Sequence, residues 1–250
     1  MQDVSLQELL TNSFNYSSSK MYTSIPCIVM KVHDSLNACK VDVQPSVKNL
    51  YKSGAVEEHP PILGVPVMFP ASKTSSFTFP INIGDTVLCV FASKSIDNFK
   101  LGSGAPTIPN DYRRFDKRDA IAIPGLFPFS ASINSPSKHT WTHSTQDAVV
   151  AHNLGTGNEV EVRLKANGDC VVSTNQKVIV NCQDAVVNST TVDVNASSMT
   201  VDVPNSTWTG NITLNGNLTQ TGTYTLAGIT MNTHKHTGVS TGPSQTGGPV

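Results

Sequence analysis

Two histidines near the C-terminus, His234 and His236, are the residues of this 250-residue chain whose type and spacing most directly suggest chemistry. In an extended backbone, residues i and i+2 point the same way, so both imidazoles can face one side. Two imidazoles alone make a weak metal site, because structural zinc takes four ligands and most transition-metal sites take four to six. The surrounding sequence, MNTHKHTG, supplies no carboxylate or thiol.

Several copies of the chain would complete such a site. Three pairs meeting on one axis would supply six imidazole nitrogens, which suits an octahedral ion such as Fe(II), with Ni(II) or Co(II) as possible substitutes. Tetrahedral Zn(II) suits six nitrogens less well but is not excluded. Because protein would fill every position, the ion would be structural and not catalytic. An isolated HxH in a polar tail is usually solvated histidine, so the metal role depends on evidence for a threefold axis.

A metalloenzyme is the main alternative from another class. The other histidines are His33, His59, His139, His143 and His152. His139 and His143, in HTWTH, can share a strand face, but no carboxylate accompanies them at ligand spacing, so we interpret them as a strand or linker face. No GxSxG, HExxH or P-loop motif is present, and no acidic pair stands in a recognisable acid–base setting. We therefore expect no catalytic residue and no enzymatic activity.

The charge of the chain argues against nucleic acid as a partner. The chain has 17 basic and 18 acidic residues, so no net positive charge attracts phosphates. Its one basic cluster, RRFDKR (113–118), is diluted by Asp111, Asp116 and Asp119. We interpret this cluster as an interdomain or collar contact and not as the basic groove of a single-strand-binding domain. The sequence also has no run of about 18 apolar residues that could span a bilayer as a helix.

The elements that must position the histidine pair are short repeated strands. From Leu164 the chain divides into units of seven: LKANGDC, VVSTNQK, VIVNCQD, AVVNSTT, VDVNASS and MTVDVPN. The first and third positions are mostly apolar, which is the spacing of one face of a strand. A coiled coil would place apolar residues at positions a and d, and the Val, Asn, Thr and Ser found here are weak helix formers. The pattern predicts a β-helix with one strand and one turn in each unit.

The repeat units become shorter towards the C-terminus. After Asn205 they have six and then five residues, with Gly at the turns: STWTGN, ITLNGN, LTQTGT and YTLAG. One such strand buries about two apolar side chains, which does not offset an ordering cost of roughly 1–2 kcal/mol per residue. A single chain therefore makes a poor core. Several identical chains wound about one axis would bury the Val, Ile and Leu positions, and the shrinking units predict a shaft that tapers towards the histidines.

The N-terminal part has a different composition and predicts a globular β domain. Of the 16 aromatic residues, 14 precede residue 150. Four β-branched-rich runs are separated by Gly, Pro, Asn and Asp: SIPCIVMKV, ACKVDVQP, ILGVPVMF and DTVLCVFA. Several short strands in about 100 residues suggest a small barrel or a sandwich, and we favour an OB-fold barrel. A brief helix is expected at SLQELL, and the predicted fold class is all-β.

These segments together resemble the central spike proteins of contractile-tailed bacteriophages, the membrane-piercing tip under the baseplate. ILGVPVMFPASKTSSFTFPINIGDTVLCVFASKSIDNF is similar to the end of that family's N-terminal OB-fold domain, and DYRRFDKRDAIAIPGLFPF to the segment that leaves it. HNLGTGNEVEVRLKANGDCVVST is similar to the start of the family's β-helix. THKHTG, followed by TGGP, is similar to its closing HxH motif. The resemblance covers most of the chain.

The resemblance implies a homotrimer with an OB-fold collar, an intertwined β-helical shaft and a metal-capped, pointed tip. One Fe(II) per trimer would be held by His234 and His236 of each chain. The expected domains are an N-terminal arm (1–22), an OB-fold collar (23–118), a linker leading into the shaft (119–160), a trimeric β-helix (161–232) and a metal-binding apex (233–250).

The function implied by the resemblance is mechanical. The spike would lie at the baseplate tip of the virion, contact a hub protein through its N-terminal domain, and pierce the host outer membrane on sheath contraction. It would then lie in the host envelope during infection. No inserted lysozyme-like domain is expected, because residues 120–160 leave too little chain for one. Two alternatives remain open: the spike of a related contractile secretion or bacteriocin apparatus, and a trimeric tail-fibre receptor-binding protein.

Overall fold

The computed structural model describes residues 5–35, 38–235 and 238. The chain divides into two compact units, Met1–Asn181 and Cys182–Val250. Among the described residues, no helix is both long and apolar enough to cross a membrane. Most of the regular structure is β, which confirms the predicted all-β class. The strands are β1 (Ser24–Ser35), β2 (Ala38–Pro45), β3 (Asn49–Leu50), β4 (Val56–Glu57), β5 (Ile62–Pro66), β6 (Thr86–Phe91), β7 (Ala120–Pro124), β8 (Ala148–His152), β9 (Val160–Leu164), β10 (Cys170–Thr174), β11 (Thr225–Leu226) and β12 (Ile229–Thr230).

The N-terminal helix α1 (Leu6–Ser19) is longer than the brief SLQELL helix predicted from the sequence. Ser5 caps its N-terminus, since the Ser5 hydroxyl accepts a hydrogen bond from the Glu8 N–H at 3.2 Å. Its second half, NYSSS, contains weak helix formers, so propensity alone underestimates its length. None of its residues is buried. The other helical elements are α2 (Asp97–Leu101) and three single turns of 3₁₀ helix (Lys117–Asp119, Phe129–Ala131 and Pro136–Lys138).

Five strands of the first unit form a curled sheet in the order β5-β2-β1-β6-β7, with every neighbouring pair antiparallel. A parallel bridge between Val67, just after β5, and Ala122 in β7 joins its two edges. This order, closed by a parallel contact, is that of an OB-fold barrel, as predicted. Register shifts after Val29 in β1 and after Val41 in β2 mark irregularities of the kind that bend strands and help the sheet to curl.

The barrel core is built from alternate residues of these strands, as a period of two requires. Its members are Cys27, Val29, Val41, Val43, Ile62, Val65, Ile81, Val87, Cys89, Phe91, Ala120 and Ala122. The sheet runs to Pro124 and so extends past residue 118, where the sequence places the end of the collar. AIAIP is short and directly follows a charged segment, so its pattern resembles a linker. However, Ala120 and Ala122 are fully buried.

A second sheet in the first unit is a three-stranded antiparallel meander in the order β10-β9-β8. The charged residues Glu161 and Arg163 of β9 are buried, whereas the apolar residues that alternate with them are exposed. Strand pairing aligns Val150, Val162 and Val172 in one row. These valines are 41–56 % exposed. A sheet with an apolar outer row of this kind is suited to contact with another protein surface.

Most of the repeat region forms no strands within one chain, and we call its apolar third positions the ladder residues. Residues 175–224, all of them described, contain no helix or strand, and every residue from 175 to 229 is exposed. The ladder residues Val180, Val187 and Val194 are 64–76 % exposed. The chain therefore does not bury its own repeat, which agrees with the argument that one strand and one turn per unit cannot offset their ordering cost. The β-helix expected for 161–232 stays a prediction.

Candidate functional site

A tight hairpin lies just before the predicted apex (233–250). β11 and β12 pair through a two-residue turn, and both turn residues, Ala227 (φ 48°) and Gly228 (φ 80°), have the positive φ that a type I′ turn requires. The chain leaving β12 folds back on this hairpin, because the Met231 N–H donates to the Tyr224 carbonyl at 2.8 Å. The hairpin thereby positions the backbone that leads into His234.

His234 is exposed, and its ring is oriented by a neighbouring carbonyl. Its Nδ1 lies 2.8 Å from the Met231 carbonyl oxygen. Since a carbonyl can only accept a hydrogen bond, Nδ1 carries the proton, and Nε2 holds the lone pair in the neutral ring. Such an orientation by a backbone carbonyl is typical of metal-ligating histidines. His236, the second predicted ligand, lies outside the described residues, so the pairing of the two rings stays a prediction.

The other histidine motif, HTWTH, lies beside a buried group of charged side chains. The rings of His139 and His143 are in edge contact, with centroids 4.2 Å apart. His139 Nδ1 lies 3.2 Å from Glu159 Oε1 and 3.7 Å from Glu161 Oε2. Both glutamates are almost completely buried, and Glu161 pairs with Arg163. The sequence shows no carboxylate at ligand spacing from these histidines, but the fold places two carboxylates next to His139.

The signal that could have identified these glutamates lies in the pattern NEVEVRL. Glu159, Glu161 and Arg163 alternate with apolar residues, so a strand there must place three charged side chains on one face. Strand spacing shows that the charges share a face, but it does not show that this face is the buried one. The covering segment, which contains Thr140 and the two histidines, comes about 20 residues earlier, and only the fold brings it into contact.

The basic cluster at 113–118 forms contacts within the barrel domain. Arg113 Nε donates to Asp119 Oδ2 at 2.6 Å, and its Nη1 donates to Asp111 Oδ2 at 2.8 Å. Arg118 pairs with Asp116, and Lys117 Nζ lies 2.9 Å from a ring nitrogen of His59. These three cations therefore contact residues of the barrel domain itself, and the expectation of an interdomain or collar contact stays a prediction.

The pairing of Arg113 with Asp119 shifts the pKa of both groups. Hydrogen bonds to Asp119 raise the pKa of Arg113 above its ordinary value. Burial raises the pKa of Asp119, but hydrogen bonds from Arg113 and the Ile96 N–H outweigh it and hold the pKa below its usual range. Both groups are thus charged at neutral pH. Asp97 in α2 also accepts from Arg113, so the network fastens the segment before β7 to that helix.

Two family models match the two ends of this architecture. Residues 25–125 match the phage protein Gp138 N-terminal domain, and residues 228–250 match the GpV apex motif. The resemblance to phage central spike proteins is confirmed. The first match spans the barrel from β1 to the end of β7, and the second includes both His234 and His236. No curated protein gives a significant match to the spike chain.

The order of the matched segments along the chain is that of a spike, with the N-terminal domain match first and the apex match last. The repeat therefore lies between them. The chain is therefore a phage tail spike or needle protein and a structural component of the virion tail. The barrel ends at Pro124, close to the end of the first match at residue 125.

Proposed function

We propose that this spike is the membrane-piercing tip of a contractile phage tail, and that it acts as a homotrimer which punctures the host outer membrane on sheath contraction. The observation that carries the proposal is the exposed apolar ladder between the barrel and the apex motif. Val180, Val187 and Val194 recur at intervals of seven and are all exposed in the single chain. Such a surface is suited to burial against copies of itself, because each copy carries the same spacing.

The energetic gain from trimerisation supports this arrangement. Burying a valine side chain stabilises by about 1.5 kcal/mol or more. Four ladder valines per chain, including Val201, would contribute on the order of 10–20 kcal/mol to a trimer before ordering costs. The row formed by Val150, Val162 and Val172 on the β8–β10 sheet offers a second apolar surface for the same contact.

A metal ion at the apex would close the tip. His234 has its ring oriented with the lone pair on Nε2, which fits a metal ligand. With His236, three chains would supply six nitrogens to one Fe(II) per trimer, and Ni, Co or Zn would be possible substitutes. The ion would hold chain termini that otherwise fray, and its effect would be local to the tip.

The surface of the proposed shaft suits a needle that passes through a membrane. From residue 178 to the C-terminus the charged residues are Asp184, Asp193, Asp202 and Lys235. The remaining polar side chains are mainly Thr, Asn and Ser, which contact headgroups without strong ionic binding. Intertwined chains could separate only by unwinding, which would resist bending and local unfolding under load. The spike needs no catalytic residue for this function and would act mechanically.

The N-terminal domain would attach the spike to a baseplate hub protein at the tail tip. Helix α1 supports this role, because Leu6, Leu10 and Phe14 stand four residues apart on one helical face and are 59–74 % exposed. The apex motif favours a piercing tip over a tail-fibre receptor-binding head, because the matched motif is that of an apex and not of a receptor-binding domain. During penetration the shaft would lie in the host envelope.

Native mass spectrometry of the full chain tests the assembly. We expect a trimer of three times 26.7 kDa that carries one iron ion and keeps its subunits after chelation. A monomer at micromolar concentration would contradict the proposal.

Triggered contraction of assembled tails against dye-loaded outer-membrane vesicles tests the piercing step. We expect release of the dye only when the spike is present and the sheath contracts. Binding of the isolated spike to cells without any release on contraction would indicate a receptor-binding protein instead.

A further inference from the structure

The ring of His139 is oriented so that a lone pair faces two carboxylates. Its Nε2 lies 3.3 Å from the Ile133 carbonyl oxygen, and a carbonyl can only accept, so Nε2 carries the proton. In the neutral ring Nδ1 then holds the lone pair. Nδ1 faces Glu159 Oε1 at 3.2 Å and Glu161 Oε2 at 3.7 Å. Three electron-rich atoms converge, and their burial is costly unless a cation lies between them.

Glu159 is held in place by donors to only one of its two oxygens. Its Oε2 accepts from the Thr140 N–H at 2.7 Å, the Thr140 hydroxyl at 2.6 Å and the Gly155 N–H at 3.2 Å. Burial raises the pKa of Glu159, but these hydrogen bonds outweigh it and hold the pKa below its usual range, so the group is an anion at neutral pH. Its Oε1 is buried and makes no hydrogen bond to any described residue.

Glu161, in β9, is also held by hydrogen bonds to only one of its two carboxylate oxygens. Its Oε1 accepts from Arg163, whose guanidinium also donates to the carbonyls of Thr142 and Trp141 at 3.0 and 3.1 Å. Its Oε2 is buried and has no hydrogen-bond partner within the described chain. Each carboxylate therefore uses one oxygen for orientation and directs the other towards His139. Support of this kind around the ligands is typical of protein metal sites.

We propose that His139 Nδ1, Glu159 Oε1 and Glu161 Oε2 bind a divalent transition-metal ion at the start of the shaft, in a site separate from the apex. The three atoms lie within 4.8 Å of one another. Metal–ligand bonds of about 2.1 Å place neighbouring ligands roughly 3–3.5 Å apart, which matches the contact to Glu159 and is slightly shorter than that to Glu161. One imidazole nitrogen with two carboxylate oxygens suits Zn²⁺, Fe²⁺ or Mn²⁺.

A proton on His139 Nδ1 could replace the metal ion as the positive charge, but the geometry disfavours this alternative. A ring N–H points in the plane of the imidazole, and neither Glu159 nor Glu161 accepts along that direction, since Nδ1 of His139 forms no hydrogen bond with the described residues. A metal ion has no such single direction and can be shared by all three atoms. The His139 ring also borders a cavity of about 700 Å³, which would give an ion a path to the site.

The experiment uses a full-length spike with His234→Ala and His236→Ala, which we call the apex-less spike. These substitutions remove the histidines of the apex, so that any bound ion must lie elsewhere. The protein is stripped with a chelator and dialysed against Zn²⁺, and metal content is measured by plasma mass spectrometry. We expect about one Zn²⁺ per chain, and a loss to below about 0.1 per chain when His139→Asn is added. His152→Asn, which changes an exposed histidine in β8, is the matched control and should retain the ion.

If the His139→Asn variant does not fold, X-ray absorption at the zinc edge identifies the ligands of the ion in the apex-less spike itself. We expect a first shell of nitrogen and oxygen with a single imidazole, and a rise in melting temperature on adding Zn²⁺. An apex-less spike that is folded but holds no Zn²⁺ after dialysis would overturn the proposal. Equal zinc content in the folded His139→Asn variant would also overturn it.

Discussion

The carboxylate of Asp119 is fully buried immediately before the last barrel strand, and its charge is balanced mainly by one arginine. Arg113 donates to both Asp119 oxygens, at 2.6 and 2.8 Å. We expect Arg113→Met to lower the free energy of unfolding of the barrel by about 3 kcal/mol, because it leaves a buried charge without its partner. Urea unfolding of the full chain, followed by circular dichroism, measures this loss.

Arg118→Met is the control for that measurement. Arg118 pairs with Asp116, but its side chain is 65 % exposed, so water replaces the lost contact. We expect a much smaller change in stability than for Arg113. Equal losses from the two substitutions would show that burial of Asp119 is not what makes the Arg113 pair important.

The same pair predicts how the stability of the barrel depends on pH. The pKa of Asp119 is lowered in the folded state, so its contribution is complete above the unfolded pKa of about 3.9 and is lost as pH falls through the folded pKa. We expect the melting temperature of the barrel to fall steeply below about pH 4. Asp97, Asp111 and Lys100 also face this network. In Arg113→Met the melting temperature should fall less steeply as the pH decreases. A fall parallel to that of the wild type would show that the Arg113–Asp119 pair does not cause the pH dependence.

At the scale of elements, the repeat makes a prediction about which face of each strand is inward. Val187 occupies the third position of its unit, on the ladder face, and Val186 occupies the second position on the opposite face. We expect Val187→Asp to destabilise the trimer strongly, because three carboxylates would meet near the axis without partners. Native mass spectrometry and thermal unfolding measure the loss of trimer.

Val186→Asp is a matched control, because it introduces the same charge one residue away. The following unit already carries an acidic residue, Asp193, at the equivalent position, so a charge is compatible with that face. We expect Val186→Asp to form a trimer of nearly unchanged stability. If both variants lost the trimer equally, the assignment of positions one and three to the interior would be wrong.

Strand alternation made most of the barrel predictable from the sequence. Val41 and Val43 in β2, and Val87 and Cys89 in β6, alternate with less buried residues, and the four predicted runs all contain strands. The last strand, β7, was not predicted, because AIAIP is short and its small alanines give only a weak alternation of apolar and polar residues. The length of α1 was underestimated because a cap and local hydrogen bonds extend a segment of weak helix formers.

The two candidate metal sites differ in how far sequence can identify them. The ligands of the apex, His234 and His236, are two residues apart, so local spacing is sufficient to propose them. The proposed ligands at the start of the shaft come from separate segments, since Glu159 follows His139 by 20 positions and lies close to it only in the folded chain. Local spacing carries no information about such a contact, which depends on tertiary packing.

At the scale of the whole molecule, the chain combines a part that buries its own core with a part that does not. The barrel has its core within the first unit, whereas residues 175–229 are entirely exposed. We propose that the second part gains its stability from association, so its unfolding should depend on protein concentration. A spike built in this way would be able to fold its barrel before any association of its repeat regions.

The last prediction concerns how the apex closes this assembly. We expect His234→Ala with His236→Ala to leave the trimer intact, because the ladder and not the metal would hold the shaft together. Without the ion to hold it, the segment that follows Thr233 should be removed by carboxypeptidase roughly tenfold faster than in the wild type, as measured by intact mass. Lys235→Ala, between the two histidines, is the control and should keep the wild-type rate. If the double variant became monomeric, the ion would be needed for assembly, and the ladder would not be sufficient to hold three chains.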